Sequence, residues 1–151
     1  MTTRVSGFDE LKGLVGQHLG YSDYRVITQE MVDLFADATN DHQWIHVDPE
    51  RAAAGPFGTT IAHGYLTLSL LPSLLGSLWH VDGVRMGVNY GSNRVRFTSP
   101  VPVGSEVRAG ATLASVDDVA GGVQVALDVT VEVKGAEKPA CVAQILSRLY
   151  A

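Results

Sequence analysis

The sequence predicts an α+β fold in which a curved antiparallel sheet wraps one long apolar helix, and three observations carry that expectation. Up to about Leu75 apolar residues recur at a spacing near 3.6; from Val84 onward they alternate with a period of 2. Between these halves, Tyr65 to Trp79 is apolar on nearly every face, the mark of a helix enclosed by other structure. A chain of 151 residues with 46% hydrophobic and 18% charged residues can bury a substantial core, so residues 1–151 are read as a single domain.

Thr28 is placed to cap a first helix, with Glu30 near its positive end and Met31, Leu34, Phe35 and Ala38 as its apolar positions. That helix is expected to stop near Asn40. Asp48 before Pro49 is a cap followed by proline at the first helical position, and Gly55 ends the short helix 49–54. Residues 41–47 therefore connect two helices. The central helix is expected from His63-Gly64 to about Leu75, kinked or broken at Pro72, which has no amide proton to donate.

Alternation of Val84, Met86, Val88 and Tyr90 with Arg85, Gly87 and Asn89 opens the strands, and Val95 and Phe97 alternate with Arg94 and Arg96. Pro100, Pro102 and Gly104 make the turn into a strand through Val107, Ala109, Ala111 and Leu113. After Gly121-Gly122, Val123 to Val133 is the clearest strand, about 37 Å long at the usual antiparallel rise. A final strand spans 141–150. One sheet leaves edges and an apolar flank uncovered, so pairing of two copies is expected.

Composition excludes several classes of function. Eleven Lys and Arg against sixteen Asp and Glu give a net charge of −5 without a basic run, which speaks against a nucleic-acid partner. The apolar stretch is too short to cross a bilayer of ~30 Å as a helix, so no membrane insertion is expected. Residues 1–20 lack the pattern of a secretory signal, which makes the cytoplasm the default location. The single cysteine, Cys141, reads as a small core residue.

The densest polar cluster is Asn40-Asp41-His42-Gln43-Trp44-Ile45-His46-Val47-Asp48. A carboxylate at Asp41 and an imidazole at His46, joined by a loop, can grip one water and move protons at neutral pH. The alternative makes Asp41 a turn residue and His46 a loop histidine satisfied locally. His42 and His46 also have the spacing of a zinc-protease His-Glu-x-x-His motif. Gln43 stands where that chemistry needs Glu, however, and Pro49 limits any helix carrying both histidines.

The segment Phe35 to His46, followed by Ile61-Ala62-His63-Gly64, resembles the signature of the MaoC-like (R)-specific enoyl-CoA hydratases, most closely their small single-domain actinobacterial type. That signature is Asp-x-Asn-Pro-x-His, then an apolar-Ala/Val-His-Gly element opening a central helix. Asn89 to Phe97 and Pro100 to Gly104 resemble the family's strand pair and turn, so the likeness spans about residues 20–150. Gln43-Trp44 departs from Asn-Pro, with Gln43 offering a longer arm toward the same site.

The resemblance implies a hotdog fold, a homodimer with acyl-thioester tunnels, and reversible addition of water to trans-2-enoyl thioesters carried on coenzyme A or acyl carrier protein. No metal or redox cofactor is implied, coenzyme A being part of the substrate. Asp41 is then the base acting on water, His46 the acid or co-holder of that water, and the Gly64 backbone amide the oxyanion donor. Gln43, His63, Arg94 and Arg96 are candidates for positioning substrate. His63 reads equally as a helix-cap histidine, Gly64 as a close-packing position, and the two arginines as a solvated strand face. A hotdog thioesterase and a noncatalytic acyl-CoA-binding partner subunit are the rival functions.

Overall fold

A computed structural model describes residues 2–151. The chain begins with β1 (Thr3–Val5), α1 (Phe8–Lys12), β2 (His18–Tyr21) and β3 (Arg25–Val26), then enters α2 (Gln29–Thr39). Next come α3 (Trp44–Val47), α4 (Pro49–Ala53), α5 (Gly64–Ser69), α6 (Leu71–Leu75) and β4 (Trp79–Val81). The long strands β5 (Met86–Arg96), β6 (Glu106–Val119), β7 (Gly122–Val133) and β8 (Cys141–Tyr150) complete it.

The main sheet is antiparallel with strand order β2-β6-β7-β8-β5, and β3 also pairs with β6. Its inner face carries Val107, Ala109, Ala111 and Leu113 of β6 and Val123, Val125, Leu127, Val129 and Val131 of β7, all buried. Leu66, Leu71, Leu74 and Leu75 of the central helical pair belong to the same core cluster. The α+β arrangement expected from the change of period, and the hotdog fold implied by the resemblance, are the architecture observed. No helix among the described residues is long and apolar enough to cross a membrane.

The central helix breaks at Leu70 into α5 and α6, two residues before Pro72. Leu70 still donates to Leu66 and Leu74 to Leu70, but proline has no N–H for the carbonyl of Leu68. Four other features differ from the sequence expectation. The buried positions of α2 are Val32 and Ala36, flanked by half-buried Met31 and Phe35, whereas Leu34 is 62% exposed and Ala38 is exposed. Two i, i+4 pairs, 31–35 and 32–36, form the contact stripe, and Leu34 and Ala38 fall outside it. The connection 41–47 contains the single turn α3, and β5 runs unbroken through Gly91, with register shifts near 89/91 and 92/94 absorbing its irregularity. The elements β1 to β3 and α1 had no periodic signal because each is five residues or shorter.

Candidate active site

Helix α2 starts as its cap predicts, with the Thr28 hydroxyl accepting from the Met31 amide at 3.2 Å. It ends at Asn40, which adopts the left-handed conformation (φ 59°), a turn that asparagine tolerates better than most residues. The next residue is Asp41, so the helix terminus itself aims the chain into the polar loop. After Gln43, α3 places His46 inside the protein at 7% exposure. Asp48 then caps α4 by accepting from the Arg51 amide at 3.0 Å, with Pro49 at the helix start.

A second segment meets this loop from across the chain. Ile61 donates its amide to the Ile45 carbonyl at 3.0 Å, and Ala62 donates to Val101 at 2.8 Å. His63 follows as the residue capping α5, and it is buried. One ligating atom each of Asp41, His46 and His63 then lies within 4.8 Å of the others. The two imidazoles stack with centroids 3.9 Å apart and planes 24° apart, and Phe35 packs against His63 at 4.9 Å.

The hydrogen bonds assign the tautomers. His46 Nδ1 lies 2.7 Å from the Ile61 carbonyl oxygen, which can only accept, so Nδ1 carries the proton and Nε2 keeps its lone pair. His63 Nε2 faces the Asp41 carbonyl oxygen at 3.0 Å and donates to it; His63 Nδ1 is buried without a partner. Burial holds the His46 pKa below the ordinary imidazole value of 6.5. The bond to Ile61 works against burial; nearby His63 lowers the pKa further, and Asp41 raises it. At neutral pH His46 is an acceptor.

His46 and Gly64 share a cleft of about 310 Å³ with Phe57, Ile61, Phe97 and Val101. The Phe97 ring lies so close to the Gly64 α-carbon that a Cβ there would sit 2.7 Å from its edge, which is why only glycine fits at this helix start. The first amides of a helix have no intrahelical acceptor, so the Gly64 N–H is open to a ligand in the cleft. A larger hollow of about 440 Å³ lies at the other end of the helical pair, beside Trp79, Met86 and Leu149. His80 lines it and meets Asp82 at 3.2 Å, but neither Asp41, His46 nor Gly64 borders it.

The remaining site candidates divide. Gln43 sits at the start of α3, where its carbonyl accepts from the His46 amide at 3.0 Å, but its exposed side chain caps nothing. Arg94 and Arg96 are not brought into the cleft. Val95 aligns with buried Ala143 and Val129, so strand alternation turns both arginines to the outer face. There Arg94 borders a hollow with His18, Tyr21 and Asp128, and Arg96 donates to its own neighbour's carbonyl at Val95. His42 bonds Asp37 at 2.9 Å and stays away from His46, so the zinc-protease spacing is not assembled into a site.

Asp41, His46 and His63 are residue types that can hold zinc, and one donor atom of each lies within 4.8 Å of the others. Carbonyls engage His46 Nδ1 and His63 Nε2, which leaves His46 Nε2 and the buried His63 Nδ1 as the ring nitrogens with free lone pairs. Sequence reasoning missed Gln29 and Thr60. Gln29 donates through Nε2 to the His46 carbonyl at 2.8 Å and accepts at Oε1 from the Thr60 hydroxyl at 2.6 Å. One residue beyond a helix cap, Gln29 looks like any solvated first-turn residue, and nothing in its neighbours signals the contact.

The chain is similar in sequence and fold to known proteins. Residues 10–135 match the family model described as the MaoC-like domain. The chain is 59% identical over 143 residues to 3-hydroxyacyl-thioester dehydratase Z of Mycobacterium tuberculosis, covering 94% of this chain and 95% of that protein. It is 48% identical over 132 residues to nodulation protein N of Rhizobium leguminosarum, covering 85% and 82%. Among solved structures, the (R)-hydratase of A. caviae involved in PHA biosynthesis superposes with a TM-score of 0.72 at 26% identity, covering 89% of this chain and 96% of that one. With the family model matched over residues 10–135 and 59% identity to a relative over 94% of the chain, this protein belongs to the MaoC-like domain family.

Proposed function

We propose that this protein is a hydro-lyase that interconverts trans-2-enoyl thioesters and (R)-3-hydroxyacyl thioesters. The observation that carries the reading is the Asp41 carboxylate within 4.8 Å of a ring nitrogen of His46, whose Nε2 is unprotonated and which lines an apolar-walled cleft together with Gly64. The 59% identity to a 3-hydroxyacyl-thioester dehydratase over 94% of the chain supports it.

In the hydration direction both groups begin as acceptors. A water held between them presents its oxygen to C3. As the C3–O bond forms, His46 Nε2 takes a proton from the water, and the charge developing on the thioester oxygen is met by the Gly64 N–H. The imidazolium formed is offset by the Asp41 carboxylate and returns its proton to C2, so HO adds to C3 and H to C2 on one face. Sequence reasoning made Asp41 the base and His46 the acid or co-holder. The Nδ1–H bond to Ile61 favours His46 as the first acceptor, with Asp41 orienting the water. Dehydration runs the same steps backwards and needs no added reductant or oxidant.

A homodimer is part of the proposal. β5 ends the sheet with an unpaired edge, and Met86 (54%) and Tyr90 (56%) stand exposed along it. A second copy joined at this edge would cover them and complete the wall of the acyl channel. The reading places the enzyme in the cytoplasm, a reducing compartment where the lone buried thiol of Cys141 needs no partner.

The test is direct. Purified protein is incubated with crotonyl-CoA and with long-chain trans-2-enoyl-CoA esters while the enoyl absorbance and free thiol are followed. Loss of absorbance giving (R)-3-hydroxyacyl product without release of coenzyme A is the expected result. Thiol release would establish the thioesterase instead, and binding without turnover the noncatalytic subunit.

A further inference from the structure

His46 is held through its side chain, at Ile61, and through its main chain, whereas Asp41 is held through its main chain. The His46 carbonyl accepts from Gln29 Nε2 at 2.8 Å, and the Asp41 carbonyl accepts from His63 Nε2 at 3.0 Å. These donors come from opposite sides, Gln29 from the first turn of α2 and His63 from the cap of α5, 17 and 22 residues away in sequence.

Neither bond is needed to form the local elements. Thr28 already caps α2, and α3 closes through its own His46-to-Gln43 and Asp48-to-Trp44 backbone bonds. The Gln29 carboxamide has one possible orientation: its oxygen meets the Thr60 hydroxyl, and its nitrogen faces two acceptors, Asp33 Oδ1 at 2.9 Å and the His46 carbonyl. Thr60, which fixes that orientation, is 2% exposed. At position 63 a phenyl ring would fill the space between Phe35 and His46 without an orphan Nδ1. What imidazole adds there over a hydrocarbon ring is the N–H bond to Asp41.

We propose that Gln29 and His63 are positioning residues that form a two-point clamp on the carbonyls of His46 and Asp41, fixing the gap between carboxylate and imidazole at the width of one bridging water. Two hydrogen bonds of ordinary length through one water span about 4.5 Å, and a carboxylate oxygen of Asp41 lies within 4.8 Å of a His46 ring nitrogen. Releasing either carbonyl lets its residue drift, and displacement of reacting groups by about 1 Å costs on the order of 100-fold in rate. The inference rests on the hydratase reading of Asp41 and His46.

The experiment measures kcat, KM and thermal melting for the wild type and for Gln29→Ala, Gln29→Glu, His63→Phe and His63→Gln, with trans-2-enoyl-CoA as substrate. Gln29→Ala and His63→Phe are expected to lower kcat about 10- to 100-fold while KM changes less than about 3-fold. His63→Gln, whose carboxamide N–H reaches about as far as Nε2, is expected to recover most of that turnover although it lacks the ring. Gln29→Glu keeps the acceptor for Thr60 and loses the donor, so it is expected to fall at least as far as Gln29→Ala. Wild-type kcat in Gln29→Ala or in His63→Phe, or a His63→Gln protein no better than His63→Phe, overturns the clamp. If His63→Phe does not fold, the half-buried Gln29 pair alone decides between these outcomes. A folded wild type that hydrates no enoyl thioester defeats the reading of the site instead, whereas an active wild type with active variants defeats only the clamp.

Discussion

In the proposed reaction His46 is the residue on which the chemistry turns, because burial and a single carbonyl bond together decide which of its nitrogens can act. With Nδ1–H committed to Ile61, Nε2 is the only nitrogen able to accept from water, and desolvation keeps it unprotonated at neutral pH. The acid limb of kcat/KM for hydration is therefore expected to have its midpoint below 6.5, measured across pH 4.5 to 8 in buffers of constant ionic strength. A midpoint at or above 6.5 would contradict the assignment. The same lowering affects stability. Between the lowered folded value and 6.5 the unfolded chain binds more protons at His46 than the folded chain does, so this group's contribution to stability falls as pH drops below 6.5 and is restored as pH rises through that window. Asp41→Asn preserves shape but removes the carboxylate that orients water and offsets the imidazolium; His46→Gln removes the acceptor. Each is expected to cut turnover by about 100- to 10,000-fold. Asp41 is exposed, so the melting temperature of Asp41→Asn should stay close to wild type, and near-native turnover by that folded variant would sink the mechanism.

Elements constrain the site through their ends. The left-handed Asn40 ends α2 and turns the chain at Asp41, while the Gly64 start of α5 admits Phe97 against the backbone. The sheet has a comparable tight point at the β7 start, far from the cleft in sequence. A Cβ on Gly122 would overlap the Leu149 carbonyl oxygen of the paired strand β8, a backbone atom that cannot rotate away. Gly122→Ala is expected to destabilise the protein by about 1–3 kcal/mol in urea melts, since strain of this kind is relieved only by shifting the ladder. Its kcat at 25 °C should remain within about 2-fold of wild type. An unchanged melting curve would mean that the β7–β8 pairing has slack that the present register does not show.

At the scale of the whole molecule, the unresolved need is cover. The edge strand β5 is exposed along nearly its whole length, and Tyr65, Met86 and Tyr90 present large apolar side chains to water. Scattered apolar residues are ordinary on a surface, but a long edge strand carrying them is a template for pairing. Sedimentation is expected to give a dimer at micromolar concentration. Met86→Lys with Val88→Lys, which places charge along that edge, is expected to shift the equilibrium toward monomer. Sedimentation as an active monomer from micromolar to nanomolar concentration would refute the dimer and the shared channel wall proposed from it.

Local chemistry was legible wherever neighbouring residues carry the signal. Thr28 announces a cap and Asn40 an end; Asp48-Pro49 announces α4, His63-Gly64 opens α5, and strict alternation announces β7. The pairing of Asp41 with His46 was legible for the same reason, since the two partners stand only five positions apart. By itself, then, the sequence determined the order of the longer elements, the wrapped-helix class and the segment that brings Asp41 close to His46. Tertiary structure decided what depends on direction and distance. Which stripe of α2 is buried depends on the body it meets, so Leu34 faces water although its spacing suited the core. The outward turn of Arg94 and Arg96 follows from the register of β5 against β8, which strand periodicity alone leaves free. The Gln29 bonds to His46 and Thr60 span 17 and 31 residues, and such contacts have no local pattern because their partners become neighbours only after the chain has closed.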